Sequence, residues 1–98
     1  MKSLPKSLRI GPFDYEVKLQ SGLFDGGQRL SGHCKYSVSE IVLDADAGPQ
    51  AQLATLWHEI VHALISNADD SKHDEALVNT LGHGIMQVLR DNPELKKL

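Results

Sequence analysis

The residues with the most chemistry in this chain are His58, Glu59 and His62, which stand in the run Trp57-His58-Glu59-Ile60-Val61-His62, an H-E-x-x-H arrangement inside a segment of helical pattern. Four helical residues advance about 400°, so His58 and His62 stack on one face, where both imidazoles can reach a single ion. That is the spacing a zinc site needs. Glu59 stands about 100° round the helix from His58, off the axis of ligation yet near enough to hold a water or take its proton, which casts it as a general base. The surroundings favour this reading over a chance pairing of histidines: Leu53, Leu56, Trp57, Ile60, Val61, Leu64 and Ile65 make the helix apolar over most of its circumference. Such a helix is expected to be buried, and buried imidazoles and carboxylates need partners that a shared ion would supply together.

A catalytic zinc takes three protein ligands and leaves a fourth position for water, so the motif alone is incomplete. Downstream, His73, Asp74, Glu75 and His83 carry suitable donors. Glu75 is the preferred third ligand, because it stands near the start of a second helical segment beyond a polar turn, and an antiparallel helix would bring it back beside the histidines. Gly82 is two turns further along on nearly the same face, which would let the two helices approach closely below the metal. His83 is the main rival. It lies about 80° from Glu75 on the helical wheel, so the two can hardly share one ion. The longer H-E-x-x-H-x-x-G-x-x-H spacing that would recruit a third histidine is absent, since Ala63 to Ala68 follow His62.

The elements that must position these residues can be read from the same sequence. Phe13, Tyr15, Val17 and Leu19 alternate with Asp14, Glu16, Lys18 and Gln20 after the Gly11-Pro12 break, the pattern of a half-buried strand. The glycine-rich stretch from Ser21 to Gln28 reads as a connection without a nucleotide-binding pattern. Leu30 to Tyr36 and Ile41 to Asp44 read as two more strands joined by a hairpin turn at Ser37 to Glu40. A helix from about Pro49 to Asn67 carries the motif. A polar break covers residues 67–72, and a second helix follows from about His73 to Leu89, ended by Arg90-Asp91-Asn92-Pro93. The fold class expected is α+β: a small antiparallel three-stranded sheet followed by two helices, in one domain spanning residues 1–98.

Composition narrows the function. A chain of 98 residues has room for one core, and its hydrophobic content of 41% with 23% charged residues is that of a folded globular domain. A formal net charge of −3 with dispersed basic residues speaks against a nucleic-acid partner. No apolar run reaches signal-peptide or membrane-spanning length, so a cytoplasmic protein without membrane contact is expected. Cys34 is the sole cysteine. It has no disulfide partner, and its neighbour His33 would point to the opposite face of a strand, which disfavours a Cys/His nucleophile.

The run T-L-W-H-E-I-V-H-A-L, the later helix E-A-L-V-N-T-L-G-H-G-I-M-Q-V-L-R-D-N-P and the early strand I-G-P-F-D-Y-E-V resemble the short phage and prophage zincin-type metallopeptidases related to the ImmA/IrrE proteins. The likeness covers most of the chain and is loosest between residues 21 and 40. It implies a minimal zincin-like domain in which His58, His62 and Glu75 hold Zn2+ and Glu59 is the base, and it carries no appended DNA-binding domain. The function expected is hydrolysis of peptide bonds in a peptide or protein substrate, through a zinc-bound water activated by Glu59. The substrate is expected to lie extended along the Leu30 to Tyr36 strand, with His33, Tyr36 and His83 as candidate oxyanion donors. The alternative is a zincin-fold phage protein of little or no activity that binds another protein and uses zinc as a staple. The intact Glu59 favours the enzyme, since a structural site needs no base.

Overall fold

The computed structural model describes residues 4–68 and 73–98. Strands β1 (Ser7–Ile10) and β2 (Phe13–Gln20) form a hairpin closed by Gly11-Pro12, with Ile10 opposite Phe13. Gly11 takes φ +58°, the left-handed value that a tight two-residue hairpin demands at its first turn position. A small separate hairpin of β3 (Phe24–Asp25) and β4 (Gln28–Arg29) follows. Then come β5 (Gly32–Lys35), a 3₁₀ turn over Tyr36–Val38, and β6 (Glu40–Asp44). Helices α1 (Pro49–Ala68) and α2 (Glu75–Asp91) complete the chain, with a short 3₁₀ turn at Pro93–Lys97.

The main sheet has four strands in the order β1-β2-β6-β5, so the expected three-stranded antiparallel sheet is corrected to a mixed sheet of four with a two-stranded hairpin beside it. β5 and β6 pair antiparallel across the turn, as the hairpin reading requires, but β2 and β6 run parallel, with Val17 opposite Ile41 and Leu19 opposite Leu43. The reason lies in β6. Ile41, Val42, Leu43 and Asp44 are all buried, a continuous run that belongs in the interior of a sheet with a partner on each side. The chain leaving β2 crosses by way of β3 and β4 to the outer edge, returns as β5, and β6 then fills the place beside β2. β1 escaped the sequence reading because four residues ahead of a Gly-Pro break carry too little alternation to mark a strand.

One face of the sheet packs on α1. Ile10, Tyr15, Cys34, Ile41 and Leu43 form the core with Leu56 and Ala63 of the helix. α1 is not buried all round, as its composition led one to expect: Leu53 is 36% and Leu64 49% exposed. The sheet packs on one side of α1 and α2 on another, and among the described residues no further element covers the remaining arc. α2 is two residues longer at its C-terminal end than expected, and Asp74 caps its start, accepting from the backbone N–H groups of Ala76 and Leu77. Of the polar break expected over residues 67–72, Asn67 and Ala68 belong to α1, and residues 69–72 lie outside the described residues, as does the N-terminal stretch 1–3. Among the described residues no helix is long and apolar enough to cross a membrane.

Candidate metal centre

Two glycines let the elements around the motif come close. A side-chain carbon on Gly82 would sit 2.9 Å from both Cα and N of His58, so only glycine lets α2 rest directly on the backbone of α1 at the motif. A side-chain carbon on Gly32 would meet Thr55 Cγ2 at 2.5 Å and Glu59 Oε2 at 3.4 Å, so glycine also lets the start of β5 approach α1. Val78, fully buried, fixes α2 from the next turn. The three elements thus frame a cleft of about 700 Å³ whose walls include Gly32, Cys34, His58, Glu59, His62 and Glu75.

Inside it, the carboxylate of Glu75 reaches both motif histidines: Oε2 lies 3.2 Å from His58 Nε2 and Oε1 lies 2.7 Å from His62 Nε2. The imidazole rings stand edge to face with centroids 4.9 Å apart. One donor atom from each of the three residues falls within 4.8 Å of the others, so the group can hold a metal ion. Zinc bonds of about 2.0–2.1 Å set tetrahedral donors roughly 3.3 Å apart. The two contacts use different oxygens of Glu75, so one oxygen serving an ion between both imidazoles needs the carboxylate to turn, an adjustment open to the side chain because it is 70% exposed.

Each motif histidine has a hydrogen-bond partner behind it. His58 Nδ1 lies 3.3 Å from Asn79 Oδ1, and His62 Nδ1 lies 2.7 Å from His73 Nδ1. Asn79 was not singled out by the sequence reading, although its place four residues after Glu75 puts it on the same face of α2. Burial holds the His62 imidazole below its ordinary range against the opposing pull of Glu75.

Glu59 is buried to 6% exposure and stands outside the three-donor group. Burial first, and the Glu75 carboxylate second, push its carboxyl up to about 7. The remaining candidates separate cleanly. Asp74 caps α2, His73 lies behind His62 rather than among the donors, and His83 lines the cleft outside the group. Cys34 belongs to the core with its thiol pushed up to about 12, chiefly by burial, while the other two candidate oxyanion donors, His33 and Tyr36, line the cleft as His83 does. No protein-family model, curated protein or solved structure matches this chain.

Proposed function

We propose that the protein is a zinc-dependent peptidase of the zincin type that the sequence resembles, with His58, His62 and Glu75 holding Zn2+ and Glu59 acting as general base. The observation that carries this reading is the division of labour in the cleft. Two imidazoles and one carboxylate converge, while a second carboxylate, buried and raised to about 7, stands beside them without joining them. When bound, zinc supplies Lewis acidity toward a water molecule and the scissile carbonyl. Glu59 takes the proton of the attacking water on a carboxylate oxygen and delivers it to the leaving amine nitrogen. Asn79 orients His58 through Nδ1. β5 is an edge strand of the main sheet and lines the cleft, which supports a substrate added to it in extended form.

The test is Glu59→Gln, which preserves shape and leaves the three metal donors untouched. Wild-type protein loaded with zinc is incubated with an unbiased peptide library, and cleavage is read by mass spectrometry. The variant is expected to stay folded and metallated and to lose about 10²–10⁴-fold in rate, the usual contribution of a positioned base. Equal cleavage by both proteins would show that the activity is not theirs. Zinc binding without cleavage by either would turn the reading toward a protein-binding module with a structural ion.

A further inference from the structure

We infer that His73 is a positioning residue that holds the His62 ring through Nδ1 and accepts from it when His62 Nε2 takes an ion. The inference rests on the zinc reading above and extends it to a side chain that touches no ion. The two Nδ1 atoms lie 2.7 Å apart, and such a pair can form a hydrogen bond only if one nitrogen carries a proton and the other a lone pair. Without an ion, His62 Nε2 donates to Glu75 Oε1, 2.7 Å away; with an ion held at Nε2 instead, the ring's proton must stand on Nδ1. His73 then accepts at Nδ1 and carries its own proton on Nε2.

The surroundings of His73 agree with a ring held for this purpose. It stacks on His62 with centroids 4.9 Å apart and 28° between the planes, and the Tyr36 ring stands 5.8 Å away. Among the described residues, His73 Nε2 is the buried side-chain atom without a hydrogen-bond partner. Each motif histidine has a hydrogen-bonding group behind its Nδ1, the amide oxygen of Asn79 for His58 and an imidazole nitrogen of His73 for His62.

Two variants and one spectrum test this. His73→Leu keeps bulk and removes the acceptor, whereas His73→Asn keeps an acceptor near the position of Nδ1. Zinc affinity is measured by competition with a chelator on the full chain. His73→Leu is expected to weaken binding ten- to a hundredfold, the usual effect of losing a bond that orients a ligand, and His73→Asn to recover most of it. In zinc-loaded wild-type protein, ¹⁵N NMR of the imidazoles is expected to show a protonated Nδ1 on His62 and a bare Nδ1 on His73. Wild-type affinity in His73→Leu, no recovery in His73→Asn, or a proton on His73 Nδ1 would each overturn the role of His73 alone. A wild-type protein that binds no zinc would overturn the zinc reading together with it.

Discussion

The two walls of the cleft are built differently. On the α1 wall, Glu59 and His62 are buried on a helix whose inner face meets the sheet through Leu56 and Ala63. On the α2 wall, Glu75 and Asn79 are exposed, and Val78 and Gly82 are the residues of that helix buried against α1. The α1 wall is thus fixed by the core, while the α2 wall is held by a narrow seam and by the bonds of Glu75 itself. On the proposed reading, the base stands in the dry, fixed setting that keeps its pKa raised, and the third ligand stands where it can close on an ion.

The comparison is broken most directly by removing the contact across the cleft. Glu75→Gln, which removes the negative charge that faces both imidazoles, is expected to weaken zinc retention by more than the hundredfold typical of a lost supporting bond, whereas His83→Ala leaves it nearly unchanged. Chelator competition on the two variants checks this; zinc loss in the His83 variant alone would move the third ligand to His83.

The fixed wall has its own signature in pH. A carboxyl whose folded pKa is raised from 4.5 to about 7 favours the native state fully below about pH 4.5, and that contribution is lost as pH rises through about 7. His62, lowered by burial, acts in the opposite sense and loses stability as pH falls below about 6.5. The Glu59 part is therefore read as a difference. Metal-free Glu59→Gln protein is expected to gain on wild type by roughly 3 kcal/mol between about pH 4.5 and pH 8, measured by denaturant unfolding. A constant difference across that range would refute a buried, raised carboxyl.

The seam is tested by Gly82→Val. The added carbons meet the His58 backbone, which cannot turn aside, so the variant is expected to lose about 1–3 kcal/mol and part of its zinc affinity together. Gly84 is the control. A side-chain carbon there meets nothing within 4 Å, and Gly84→Ala is expected to stabilise the protein by about 0.5–1 kcal/mol through helix propensity, with zinc binding unchanged. If both substitutions act alike, the close approach at Gly82 is not what joins the walls.

The sequence by itself determined what depends on local geometry. The i, i+4 spacing of His58 and His62, the offset of Glu59, the alternation of β2 and the periods of both helices follow from fixed rises and turns per residue, so they were legible without a partner in view. The short β1, the parallel pairing of β2 with β6 and the exposed arc of α1 were not. Each depends on which surfaces are left over once other elements have packed, and a local pattern carries no information about that. The same division runs through the site. Glu75 was readable as one of four candidate third ligands, and Gly82 as the position where the helices would approach. Only the packing of α2 on α1 brought the Glu75 carboxylate onto both imidazoles, sent Asp74 to the helix cap, set His73 behind His62 and gave Asn79 to His58, because those choices turn on distances of an ångström or two between segments far apart in the chain.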